Sequence, residues 1–287
     1  MRIDRAVSGW FREGKRHLGY YRLRTRWLEP RFAAALRPTD TFLVGHPKSG
    51  NTWLAYMLAV LIERAAAERI TLANVGGFVP FVHGRDHRIG RYPDLADPRV
   101  FRNEHPRYWS RYPRIIYLLR DPRAVIPSLW SMYRTMRGDT ALSIEAFLDQ
   151  YLARRGVFRD WNSELVRWDR QVTAALDEAA RSDRIEVVRY ETMVADRPGV
   201  ISALSNFLGL DRTETDVARA VARGSFAAMR AVEDAHGSEA YRGRAALPGR
   251  FVRTGTVDGW RKELPAGVIG RIEDVFGPVM RRAGYLE

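Results

Sequence analysis

Between Thr41 and Arg69 the chain reads as a short apolar strand (Thr-Phe-Leu-Val-Gly-His), a turn (Pro47-Lys48-Ser49-Gly50-Asn51) and a helical run. A strand with no polar face belongs inside a sheet covered on both sides, and a helix entered directly from such a strand requires an α/β architecture. The pattern recurs. Arg114–Arg120 is a second, nearly apolar strand, and Asp121-Pro122 opens the next helix with an N-cap carboxylate and a proline at the first helical position. Arg184–Tyr190 is a third strand, followed by a helix over Arg197–Leu208, and a last helix is expected over Val268–Ala283. Strand and helix alternate, so the fold class is α/β with a mainly parallel central sheet flanked by helices. Residues 74–112 and 236–250 read as long irregular segments, the second as a mobile loop.

Function is narrowed next by charge. The 47 Lys+Arg against 34 Asp+Glu leave a net charge of +13, and only three of the basic residues are lysines: Lys15, Lys48 and Lys262. Ten basic and three acidic residues fall in 1–37, interleaved with Trp10, Phe11, Tyr20, Tyr21, Trp27 and Phe32. We read 1–37 as a basic aromatic appendage and 38–287 as a single domain. An excess of this kind favours an anionic partner: a phosphate-rich small molecule, a nucleic acid or an acidic membrane surface. With no cysteine in the chain, disulfides, thiol catalysis and cysteine-bound zinc are excluded. The longest apolar run, Leu54–Ile62, stops at Glu63, far short of the ~20 residues of a membrane span, and the N-terminus shows no secretory pattern. A cytoplasmic location is expected, with peripheral membrane contact through 1–37 as an addition.

The turn after the first strand has the chemistry of a phosphate cradle. It lies at the carboxyl end of a parallel strand, where a helix N-terminus offers unpaired N–H groups to an anion. Gly50 permits close backbone approach, Ser49 and Thr52 add hydroxyls, and Lys48 supplies a compact charge in a chain that otherwise uses arginine. The ATP/GTP loop places Gly-Lys-Ser/Thr in that order. Here the order is Lys-Ser-Gly, so that match fails.

His46-Pro47-Lys48-Ser49-Gly50-Asn51-Thr52-Trp53 resembles the 5′-phosphosulfate loop (Tyr-Pro-Lys-Ser-Gly-Thr-Thr-Trp) of sulfotransferases that use 3′-phosphoadenosine 5′-phosphosulfate (PAPS). Arg120-Asp121-Pro122 through Ser128 resembles the same family's 3′-phosphate motif, with Arg120 suited to a bidentate grip and Ser128 two turns into the helix. Pro127 departs from the family and is expected to kink or loosen that helix. Val187–Glu191 resembles the strand whose tyrosine, here Tyr190, lies near the adenine. Phe251–Arg261 resembles the segment that closes over the 3′-phosphate, with Arg253, Gly255 and Trp260 matching and Thr254 in place of a lysine.

The resemblance implies a P-loop-like nucleotide-binding fold. It implies PAPS as co-substrate, adenosine 3′,5′-bisphosphate (PAP) as product, and no metal. Lys48 would neutralise the leaving phosphate, with Ser49, Gly50, Asn51, Thr52 and Trp53 around it. Arg120, Ser128, Arg253 and Gly255 would hold the 3′ end. For the proton acceptor two residues stay open in Arg102-Asn103-Glu104-His105-Pro106. The family's histidine stands two residues before the proline, where this chain has Glu104. Counting back from Tyr112-Pro113-Arg114 places His105 there instead, and His105 is the preferred base. Acceptor contacts are expected in Gly76–Arg91, with Phe78, Phe81, His83 and His87, under a lid from 236–250. The acceptor is a small molecule, lipid or glycan, and no nucleic-acid partner is expected. Two other classes compete: a phosphoryl-transfer relative dependent on nucleoside triphosphate and Mg²⁺, and a non-enzymatic basic module binding DNA or lipid with a steep salt slope.

Overall fold

The computed structural model describes residues 28–82, 86–106, 108–139, 141–153, 166–238 and 255–287. Its sheet has four parallel strands, β1 (Thr41–Gly45), β2 (Val100–Asn103), β3 (Arg114–Leu119) and β4 (Ile185–Arg189), in the order β2-β1-β3-β4. β1, β3 and β4 lie within the three segments read as strands. β2 does not: the stretch 74–112 was expected to hold little regular structure, yet Val100–Asn103 pairs with β1 from Thr41↔Val100 to Val44↔Asn103. It is four residues long and half of it is the polar pair Arg102 and Asn103, both buried. No period-2 or apolar signal survives in so short a strand.

Side chains alternate across the sheet as the pleat requires. Phe42, Val44, Ile115, Tyr117 and Leu119 enter one core, while Leu43, Ile116, Leu118 and Val188 enter the other. The first face is covered by α2 (Pro122–Arg137), α3 (Ile144–Ala153), α4 (Trp168–Ala179) and α10 (Ala266–Arg282). The second is covered by α1 (Asn51–Ile62), α6 (Arg197–Leu208), α7 (Glu214–Arg223) and α8 (Phe226–His236). Two shorter helices are α5 (Tyr190–Ala195) and α9 (Trp260–Glu263).

α1 is buried on nearly all sides, from Leu54 through Ile62. It was expected to reach Arg69. It ends at Ile62 instead, and Arg64–Arg69 continues as a tighter 3₁₀ segment. The Arg212 guanidinium donates to the carbonyls of Leu61 (2.6 Å) and Ile62 (3.0 Å), satisfying the helix end from outside. α2 begins as the sequence suggests: Asp121 accepts from the Arg123 N–H at 2.8 Å. It runs on to Arg137 with Pro127 inside it. Within the basic appendage, residues 28–35 are helical, and Phe32 is fully buried, stacked on Tyr108 at 4.8 Å between ring centroids. The C-terminal end of that segment is therefore packed into the domain's core.

The strand order places the functional region. From β1 the chain crosses to β2 on one side, whereas from β3 it crosses to β4 on the other. The connections leaving β1 and β3 therefore diverge and open a crevice at the carboxyl ends of these two neighbours. Both loops singled out from the sequence, 46–51 and 120–122, lie at its rim.

Candidate active site

The β1–α1 turn is held in an uncommon backbone. Lys48 has φ +73°, a left-handed conformation rare for a residue with a side chain, and Gly50 has φ +102°. A side chain at Gly50 would meet the Tyr190 ring at 3.0 Å, so the glycine serves both the turn and that contact. Gly50 caps α1 without a side-chain hydrogen bond, which leaves the helix N-terminus without a side-chain acceptor of its own. Within the turn, Ser49 Oγ is buried and makes no hydrogen bond.

Arg120 follows β3 directly. It donates from Nη1 to the Lys48 carbonyl at 2.9 Å, and its guanidinium carbon lies 4.0 Å from the centroid of the Tyr190 ring. Its Nε is buried without a partner. Asp121 does not pair with Arg120. It is engaged by Arg123, whose Nη2 is 2.7 Å away and whose other arm reaches Glu273. Tyr190 packs edge-on to Trp53 (5.5 Å), and Trp53 Nε1 donates to the Gly224 carbonyl. Lys48, Gly50, Trp53, Arg120 and Tyr190 are thus drawn into one contiguous group from three segments of the chain.

A second network, invisible in the sequence, braces the two strand tips. His46 Nε2 and the Tyr151 hydroxyl are 3.0 Å apart, and that hydroxyl accepts the Trp168 N–H at 2.9 Å. The Pro47 carbonyl, 3.0 Å from Nδ1, can only accept, so Nδ1 of the neutral ring carries the proton and the Tyr151 hydroxyl donates to Nε2. Trp168 Nε1 donates in turn to the Arg120 carbonyl. Burial lowers the His46 pKa to about 4, only partly opposed by the Pro47 hydrogen bond and Asp169, so the ring is neutral at physiological pH.

The turn after β2 supplies the third side. Glu104 is half-buried and its Oε1 accepts from Asn51 Nδ2 at 3.0 Å; the same amide nitrogen lies 3.3 and 3.2 Å from the carbonyls of Gly45 and His46. Gln171 Nε2 donates to the Glu104 carbonyl. Burial pushes the Glu104 carboxyl above its ordinary pKa, with the Asn51 hydrogen bond and the charges of Lys48 and Arg102 acting against that shift. His105 is buried, and its N–H donates to Asn103 Oδ1 at 3.0 Å. Asn103 belongs to a buried cluster with Asp86 and Tyr112, whose hydroxyl donates to Asp86 at 2.5 Å. Asn103, Tyr151, Trp168 and Gln171 were missed because their roles depend on contacts across 9 to 105 residues of sequence.

Ser128 lies half-buried in α2. Gly255 has φ +64° and packs on Phe226, and Trp260 is buried with Arg123 over its ring at 4.3 Å. Arg253, His83 and most of the expected 236–250 lid lie outside the described residues. Phe81 is 43% exposed and stands beside Arg102 at the β2 edge. Among the described residues, no three His, Asp or Glu side chains form a metal-holding group, and no helix is long and apolar enough to cross a membrane.

Residues 38–284 match the sulfotransferase domain, and this chain belongs to that family. Among its relatives are the amine sulfotransferase of Oryctolagus cuniculus, 23% identical with 86% of this chain and 82% of the relative covered, and cytosolic sulfotransferase 17 of Arabidopsis thaliana, 22% identical with 91% and 82% covered. The fold is similar to a crystal structure of retinol dehydratase with androsterone and PAP (TM-score 0.66, 19% identity, 85% and 81% covered). A mouse sulfotransferase complexed with PAP is also similar (TM-score 0.60, 21% identity, 88% of each chain).

Proposed function

We propose that this protein transfers a sulfuryl group from PAPS to the hydroxyl or amine of a small organic acceptor. The observation that carries the proposal is the pair of buried polar atoms without partners, Ser49 Oγ and Arg120 Nε, at neighbouring strand tips flanking the crevice. Buried donors are normally satisfied, and two orphans in a cationic crevice suit the oxygens of an anion. PAP in two structures of similar fold and the amine acceptor in one relative's name favour the same reading.

When bound, the nucleotide supplies an activated sulfuryl group on a phosphate leaving group. This chain's residues do the rest. Lys48 and the first turn of α1, through Ser49, Gly50, Asn51, Thr52 and Trp53, neutralise charge that develops on the 5′-phosphate. Arg120, Ser128, Gly255 and Arg253 hold the 3′-phosphate, and Tyr190 with Trp53 offers the adenine an aromatic wall. The proton acceptor belongs to the Glu104–His105 turn. Acceptor molecules enter past Phe78 and Phe81. The basic excess of residues 1–37 suits contact with an anionic bilayer, from which a lipid acceptor could be drawn; vesicle binding that is lost at high salt and on deletion of 1–27 tests that element.

The experiment is thermal unfolding with PAP, with ATP and Mg²⁺, and with duplex DNA. At about 100 times its dissociation constant a ligand stabilises by about 2.7 kcal/mol, which is roughly 5–10 °C for a domain of this size. PAP alone should give that shift, and Lys48→Ala should lower sulfuryl transfer by ~10²-fold or more. A shift with ATP and Mg²⁺ but not with PAP would refute the proposal.

A further inference from the structure

We propose that Glu104, rather than His105, is the group that takes the acceptor's proton, and that Asn51 is its positioning residue. This rests on the sulfuryl-transfer reading and assigns a role within that site.

Two departures from the family's spelling touch each other. Asn51 stands where the loop usually has threonine, and Glu104 stands where a histidine is usual; the amide of one donates to the carboxylate of the other at 3.0 Å. That amide nitrogen also faces the carbonyls of Gly45 and His46, so the carboxylate is registered to the phosphate turn itself. The Gln171 amide holds the Glu104 carbonyl from α4, fixing the backbone on the opposite side. Glu104 Oε2 accepts no hydrogen bond among the described residues, which leaves it lone pairs for a proton. The charged groups facing the carboxyl are Lys48 from the phosphate turn and Arg102 from β2; α4 contributes only the uncharged Gln171. His105, by contrast, is buried to 5% exposure, with its backbone anchored to the Asn103–Asp86–Tyr112 cluster.

The step balances without a further reactant. An acceptor oxygen lone pair forms the new O–S bond, and the S–O bond to the 5′-phosphate breaks with its electron pair staying on the phosphate. The acceptor's proton passes to the Glu104 carboxylate, which becomes a neutral acid. Lys48 keeps its charge for the leaving phosphate throughout. Because burial raises the Glu104 pKa, the ionised form, and with it the rate, is lost on acidification at a pH above the ordinary carboxylate range.

The test uses the full chain with PAPS and two probe acceptors, 2-naphthol and 1-octanol, together with PAP binding by calorimetry. Glu104→Gln keeps the Asn51 contact and the volume of the side chain. It should lower kcat roughly 10²- to 10⁴-fold, more for the alcohol than for the more acidic naphthol, and remove the acid limb of the pH profile. PAP affinity should stay within about twofold, a readout independent of turnover. Asn51→Thr should displace the acid limb and lower kcat, and combined with Glu104→Gln it should cost no further rate. His105→Ala should retain the acid limb. A Glu104→Gln enzyme with near-normal kcat and an intact acid limb, or an acid limb abolished by His105→Ala, overturns the assignment. A wild-type chain that binds no PAP overturns the sulfuryl-transfer reading and this assignment with it.

Discussion

His46 offers a sharp test of how the site is braced. The wild-type ring is buried, neutral, and hydrogen-bonded to Pro47 on one side and Tyr151 on the other. Its pKa is about 4 in the folded chain against an ordinary 6.5, so between these values the unfolded chain binds more protons. Stability from this group is therefore fully present above pH 6.5 and is lost as pH falls toward 4. Integrating between those limits gives roughly 2 kcal/mol less stability at pH 5 than at pH 7 from this ring alone. His46→Phe removes the titration while keeping a ring. At pH 7 the variant should be weaker by about 1–3 kcal/mol, because Tyr151 and Pro47 each lose a partner. Urea unfolding followed by circular dichroism at the two pH values measures both proteins on one scale. The wild type should lose roughly 2 kcal/mol more than His46→Phe on acidification. Equal losses would refute the buried neutral imidazole and the bracing chain built on it.

Two further outcomes follow from the strand tips. Arg120→Ala removes a donor whose Nε is buried and without a partner, and should weaken PAP binding about 10- to 100-fold by calorimetry; Arg120→Lys should recover only part of that, lacking the planar fork. Gly50→Ala forces a side chain into φ +102° and to within 3.0 Å of Tyr190, so thermal unfolding should show a loss of about 1–3 kcal/mol together with weaker PAP binding.

The parts of this molecule that were legible in the sequence are those where one local pattern fixes one outcome. β1 and β3, nearly apolar throughout, are the two interior strands of the covered sheet, and β4, which carries Glu186 and Arg189, lies at its edge. Asp121-Pro122 caps a helix by its own atoms, and Arg197–Leu208 is helical over the residues its pattern marks. Pro47-Lys48-Ser49-Gly50 was legible as a turn between strand and helix, and α1 does start directly after Gly50. What stayed hidden depends on distant contacts. β2 is recognisable only once β1 provides its partner, since Arg102 and Asn103 look like loop residues until they are buried. The end of α1 is set by Arg212, 150 residues away. Nothing near His46 predicts Tyr151 or Trp168. Counting from either end of Arg102–Pro106 carried no information about the hydrogen bond from Asn51 to Glu104, which spans 53 residues of sequence.

The central claim is that one doubly phosphorylated adenosine bridges the tips of β1 and β3. A crystal of this protein soaked with PAP measures it directly. The 5′-phosphate is expected against Lys48, Ser49 and the first turn of α1, and the 3′-phosphate against Arg120 and Ser128. Density for the nucleotide anywhere else on the protein, or with its two ends exchanged, would contradict it.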